Sequence, residues 1–182
     1  IFTSATLSVH RDFSHFTSRL GLDDAQTLRL ESPFDYPTQA LLYVPQELPP
    51  PQSADFLPAF VDTLMPLIQA SQGGALVLCT TLRAVERVAG LIGDAYDRLG
   101  ITWPLMRQGN GTRRDLLERF RTLDHAVLVG SASFWEGIDV PGDALQCVLI
   151  DKLPFPPPND PLVEARVKRL EGEGRNAFTD YF

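Results

Sequence analysis

The stretch Ala75-Leu76-Val77-Leu78-Cys79-Thr80-Thr81, running directly into Leu82-Arg83-Ala84-Val85-Glu86-Arg87-Val88-Ala89, decides the fold class. Five apolar residues in succession, without polar alternation, suit a strand covered on both faces. From Thr81 the period changes. Leu82, Val85, Val88, Ala89, Ile92, Tyr96 and Leu99 recur at three- and four-residue spacing, and Gly100 follows as a C-terminal cap. A buried strand followed at once by an amphipathic helix is the repeating unit of an α/β protein with a parallel sheet.

Working outward, similar apolar runs predict strands at Ala40 to Val44, His125 to Val129 and Leu145 to Ile150, with a weaker one at Thr27 to Glu31. Thr112 and Asp115 stand in capping-box-like spacing at the start of a helix running to Arg121, with Leu116, Leu117 and Phe120 inward. Asp160 and Pro161 open another helix, to about Leu170, with Leu162, Val163, Val167 and Leu170 inward. A less regular helix spans Ala54 to Ala70 and is expected to kink or break at Pro66, which lacks a backbone donor. Two proline clusters, Pro45 to Pro51 and Pro154 to Pro161, read as stiff loops. The architecture expected is a mostly parallel sheet with helices on both faces, without internal repeats.

A length of 182 residues suits one compact unit, and 44% hydrophobic with 21% charged residues is ordinary globular usage that suggests neither disorder nor a fibrous repeat. No apolar run approaches the roughly 20 residues of a membrane helix, and no signal-peptide pattern opens the chain, so a cytoplasmic location and no membrane partner are expected. Cys79 and Cys147 lie in apolar runs and read as buried, reduced thiols. His10, His15 and His125 share no ligand spacing with each other or the cysteines, so no metal site is expected. The net charge of −7 speaks against nucleic acid for the chain as a whole. Its distribution does not: residues 83–121 hold eight Lys/Arg against five Asp/Glu, whereas residues 1–82 hold three against eight. A local basic face fits a binding surface and a solvated helix equally well.

The segment Gly130-Ser131-Ala132-Ser133-Phe134-Trp135-Glu136-Gly137-Ile138-Asp139-Val140-Pro141-Gly142 carries the chemistry. Ligands of open parallel sheets bind at the carboxyl ends of strands, where small residues admit a close backbone approach. Glu136 and Asp139 place two acceptors beside Gly137, suited to ribose hydroxyls or to fixing a neighbouring loop; a plain polar turn is the alternative. Phe134 and Trp135 are candidates to stack on unpaired bases or to be buried, with burial favoured for Phe134. Upstream, Arg113 and Arg114 occupy a predicted first helical turn, where the macrodipole disfavours each cation by about 0.3–1 kcal/mol. Something must compensate. With the flexible Gly109-Asn110-Gly111 nearby, an anion held from Gln108 to Arg114 is one answer and two solvated arginines the other.

These phrases resemble a known family. Ser133 to Gly142 resembles motif V of superfamily-two helicases in its XPD-like form, and Asp151 to Pro161 resembles the loop peculiar to that group. Leu76 to Thr81 resembles motif IV. Ser4-Ala5-Thr6-Leu7, with Phe13, Phe16 and Leu20-Gly21-Leu22, resembles motif III and the passage into the second motor domain. The resemblance, to the DinG and YoaA branch, covers nearly the whole chain. It implies a RecA-like fold for residues 11–182, with residues 1–10 closing a first motor domain or linker. It further implies a parent ATP-dependent DNA helicase in repair or replication. Glu136, Gly137 and Asp139 would then serve the nucleotide side of motif V, and Ser4 and Thr6 the relay between ATP and DNA sites, unless they merely cap a strand end. Thr80 and Thr81 would touch DNA phosphates; beside this resemblance, the residues themselves add Gln108, Arg113, Arg114, Ser133 and Trp135 as candidates to face single-stranded DNA.

Other parts of such a motor are not in this sequence. It contains no G-x-x-x-x-G-K-[ST] phosphate loop, no DEAH-like box and no Q-x-x-G-R-x-x-R segment, so the chain is expected to be a fragment, incomplete at its C-terminus and inactive alone. ATP and Mg²⁺ would be held mainly by the first domain of the same parent. An iron–sulfur cluster would belong to that domain and not to this chain. Replication or repair proteins are further candidate partners. Two other readings stand beside this one: a motor-dead interaction module, docking a repair or replication factor through the acidic N-terminal portion, and an unrelated doubly wound nucleotide-binding protein. A phosphate loop upstream of Ile1 would exclude both.

Overall fold

The computed structural model describes residues 1–22, 24–155 and 159–177. They form two compact units, divided after Pro45. In the first, α1 (Ser14–Leu20) begins where the Asp12 carboxylate accepts the Ser14 N–H at 2.9 Å and ends at left-handed Gly21, and α2 (Tyr36–Gln39) is a single turn opened by Pro37. The strands expected at Thr27 to Glu31 and Ala40 to Val44 do not form: both segments are irregular, with Leu28, Leu30, Leu41 and Leu42 exposed. A strand needs a partner for its backbone donors and acceptors, and among the described residues neither segment has a ladder.

The second unit holds α3 (Phe56–Ala70), β1 (Ala75–Leu78), α4 (Leu82–Leu99), β2 (Leu105–Arg107), α5 (Arg113–Thr122), β3 (Val127–Gly130), β4 (Cys147–Ile150) and α6 (Pro161–Gly172). The strands form one parallel sheet in the order β2-β3-β1-β4, with Ala75 opposite both Val127 and Cys147. Alternate residues serve opposite faces. Ala75, Val77, Val127 and Val129 pack with α3 and α4, while Leu76, Leu78, Met106 and Leu128 pack with Leu116, Leu117 and Phe120 of α5. Helices thus cover both faces, the α/β arrangement expected.

Differences from the sequence reading lie at edges. Strand β2 was not anticipated; it has three residues after Pro104, and only Met106 is buried. His125 takes a left-handed φ of 58°, so β3 starts at Val127 rather than at the histidine. Pro66 does not interrupt α3, because Phe60, Val61, Leu64, Met65 and Ile68 bury the surrounding turns and outweigh one lost backbone bond. In α4 the Thr81 hydroxyl accepts the Ala84 N–H and Gly100 closes the helix, but Leu82 and Leu99 overhang the core and are exposed. In α6 the Asp160 carboxylate caps Leu162 and Val163; Val163 is buried, Val167 and Leu170 are half-buried, and Leu162, roughly 100° round the helix from Val163, is exposed. Cys79 is buried as expected and Cys147 only half-buried. Residues 156–158 of the second proline cluster lie outside the described residues.

Helix α4 leaves β1 over one face, whereas the chain after β3 passes over the other, placing Phe134, Trp135, Ile138 and Val140 against the α5 side. Adjacent strands whose connections depart to opposite faces open a crevice at their carboxyl ends.

Candidate functional site

At that edge the β1 end is short. Cys79 continues the ladder by donating to the Gly130 carbonyl at 2.8 Å, and Thr81 already caps α4. Thr80 lies between, with its hydroxyl buried. Its N–H donates to the carboxylate of Asp151, which follows β4 and also accepts the Lys152 N–H at 2.6 Å. Asp151 is only 7% exposed. Burial raises its pKa above the ordinary aspartate value, opposed by those two N–H groups and the Lys152 charge. Burial likewise pushes the Cys79 thiol up to about 12, with Asp151 adding to the effect and the Lys152 charge opposing it. Asp151 was missed as a site residue. Its signal was an acid ending an apolar strand run at the ligand-bearing edge of the sheet.

The β3 end is long. Gly130 permits a single 3-10 turn, Ala132–Phe134, to fold the Phe134 ring back on the strand; a Cβ at Gly130 would lie 2.7 Å from that ring. Phe134 is buried in the core, the favoured reading, and Trp135 is half-buried against the same cluster, its Nε1 without a hydrogen-bond partner among the described residues. Ser131 is buried and satisfied: the Gln108 carboxamide oxygen accepts its N–H at 2.8 Å and its hydroxyl at 2.9 Å.

The compensation demanded by a cation in the first turn of α5 is intramolecular for one arginine. Arg113 donates Nε to the Ser133 carbonyl at 2.8 Å and Nη2 to those of Glu136 and Gly137 at 3.0 and 3.1 Å. Arg121 donates Nη2 to the Asp139 carbonyl at 2.6 Å. Arg114, whose side chain is 86% exposed, meets only Glu118, at 3.5 Å, among the described residues. The loop backbone is thus tied inward, while the Glu136, Asp139 and Ser133 side chains are exposed; among the described residues the two carboxylates have no partner. Exposed, unpartnered carboxylates suit hydroxyl donors and repel phosphates.

The structure therefore gathers Thr80, Thr81, Gln108, Arg113, Arg114, Ser133, Trp135, Glu136, Gly137 and Asp139 in one unit. Ser4 and Thr6 lie in the other, hydroxyl to hydroxyl at 3.2 Å and exposed. A cavity of about 640 Å³ opens elsewhere, at the amino ends of the strands among Gln72, His125 and Asp143, away from these residues. Among the described residues no group of three or more His, Cys, Asp or Glu could hold a metal ion, and no helix is long and apolar enough to cross a membrane.

Comparison with known proteins places this edge in context. A family model described as the helicase C-terminal domain matches residues 64–182. The ATP-dependent DNA helicase YoaA of Escherichia coli is 43% identical over 180 residues, covering 99% of this chain and 28% of that protein. The ATP-dependent helicase DinG of Mycobacterium tuberculosis is 35% identical over 98% of the chain and 27% of its own length. A Bacillus subtilis protein named 3′-5′ exonuclease DinG is 34% identical over 98% of the chain and 20% of its own length. The chain thus spans between a fifth and somewhat over a quarter of these relatives. With its parallel sheet, its motif phrases and this match, the chain belongs to the helicase C-terminal domain family, in the DinG and YoaA branch.

Proposed function

We propose that this chain is the second motor domain of an ATP-dependent DNA helicase acting in DNA repair or replication. In that reading it pairs with a first motor domain of the same protein, closes on ATP at their cleft and tracks single-stranded DNA across both. The observation that carries the reading is the 43% identity to a DNA helicase across 99% of the chain. The loop after β3 supports it, because the exposed Glu136 and Asp139 carboxylates suit the ribose hydroxyls of a nucleotide. ATP with Mg²⁺ supplies phosphoryl transfer, and its phosphates fall to the first domain, since this sequence has no phosphate loop. Arg114, Thr81 and Ser133 are the exposed groups available to DNA phosphates, with Thr80 and Trp135 beside them. Residues 1–10 belong, in this reading, to the passage from the first domain, with Ser4 and Thr6 in the relay. A cytoplasmic location accords with it.

The test is DNA-stimulated ATP hydrolysis by the full-length protein that carries this chain, beside Glu136→Gln and Asp139→Asn. Each variant loses charge-assisted hydrogen bonds to the nucleotide and should slow turnover by on the order of tenfold or more, with an unchanged melting temperature. The chain alone should hydrolyse nothing. Absence of DNA-stimulated turnover in the full-length protein, or wild-type turnover in both variants, overturns the reading.

A further inference from the structure

The loop from Ser131 to Asp139 has one short 3-10 turn of its own, yet five of its backbone atoms are held by side chains from a single neighbouring segment. Gln108 follows β2 and holds the N–H of Ser131; Arg113 opens α5 and holds the carbonyls of Ser133, Glu136 and Gly137; Arg121, two turns along α5, holds that of Asp139. The chemistry of each residue matches its place. A guanidinium offers several N–H donors in one rigid plane, so Arg113 can span carbonyls that a lysine ammonium, a compact charge, cannot serve together. Gly137, at φ +65°, supplies the left-handed turn that brings its carbonyl to the same Nη2 as that of Glu136. The carbonyls also give the cation, placed where the macrodipole opposes it, an anion-like partner within the fold.

We propose that Arg113, assisted by Gln108 and Arg121, is a positioning residue for the nucleotide-facing loop, acting through the backbone of residues 131–139 rather than by touching DNA. The proposal rests on the second-motor reading above. Segment β2–α5 thereby sets the direction in which Glu136 and Asp139 leave the loop, and any displacement of α5 is passed to both carboxylates through the backbone.

The experiment uses the full-length protein with Arg113→Ala, Arg113→Lys and Arg121→Ala. Three quantities are read: hydrogen exchange of the peptide covering residues 131–139, kcat of ATP hydrolysis at saturating single-stranded oligonucleotide, and the slope of log affinity for that oligonucleotide against log salt. Arg113→Ala should speed exchange in the loop and lower kcat, each by roughly tenfold, with the salt slope unchanged. Arg113→Lys should resemble the alanine variant, since it keeps the charge and loses the fork. Arg121→Ala should move exchange and kcat in the same direction. The opposite pattern, with loop exchange unchanged, a slope flatter by about 0.7 in Arg113→Ala and its recovery in Arg113→Lys, makes Arg113 a phosphate ligand and overturns the proposal. If the wild-type protein shows no DNA-stimulated turnover, the helicase reading fails, and unaltered loop exchange in Arg113→Ala would separately remove the clamp.

Discussion

Strands β1 and β3 run side by side, paired residue for residue from Ala75 with Val127 to Leu78 with Gly130, but they end in opposite ways. After β1, three residues lead into α4, and the capping hydroxyl of Thr81 lies three positions from the N–H it accepts. After β3, the chain runs through a loop whose carbonyls are gathered by Arg113, 20 to 24 positions earlier. One end is capped by its immediate neighbours, with the Thr80 N–H alone reaching a distant side chain, that of Asp151. The other borrows its conformation from a separate helix, so its geometry responds to whatever moves that helix.

The contrast can be tested by substitution. The largest effect is expected for Phe134→Ala: the ring is 2% exposed and pins the β3 loop to the core, so its removal should cost about 3–5 kcal/mol in urea unfolding. A loss below about 1 kcal/mol would mean that the side-chain clamp alone holds the loop. Thr81→Ala removes one cap from the β1 end and should cost about 1 kcal/mol by thermal melting. If it costs as much as Phe134→Ala, the β1 end is no more local than the other.

The smallest effect concerns Asp151, beneath Thr80, and depends on pH. Its folded pKa lies above the unfolded value near 3.8, because burial disfavours the charged form. The folded chain therefore binds this proton more tightly than the unfolded one. The stabilisation is fully present below the unfolded pKa and is lost as pH rises through the folded value. Wild-type stability should decline from about pH 4 upward relative to Asp151→Asn, which carries no such proton. Urea midpoints at a series of pH values give the comparison, and parallel curves would show that the carboxylate is effectively solvated.

How much was legible follows the same division. The α4 stripe of Val85, Val88, Ala89, Ile92 and Tyr96 could be read residue by residue, because a helix satisfies its own backbone and displays its period in the chain. The run Ala40 to Val44 is as apolar as Ala75 to Leu78, yet only the latter became a strand. Composition does not reveal whether a partner ladder exists. Strand β2 escaped notice for the reverse reason: Leu105 to Arg107 is short, and its pairing with β3 makes it a strand. At the site, the need to compensate Arg113 was readable from its place in a first helical turn. That the compensation came from three carbonyls of motif V was not.

By itself the sequence determined the α/β class, the helix ends at Gly100, Thr112 and Asp160, the motif V loop and the family resemblance, because each is written in neighbouring residues or a local period. Tertiary structure alone decided the order β2-β3-β1-β4, the burial of Asp151 and the turning of Gln108, Arg113 and Arg121 onto one loop. These depend on groups 18 to 72 positions apart meeting in space, and the hydrogen bonds that fix them exist only after the hydrophobic faces have packed.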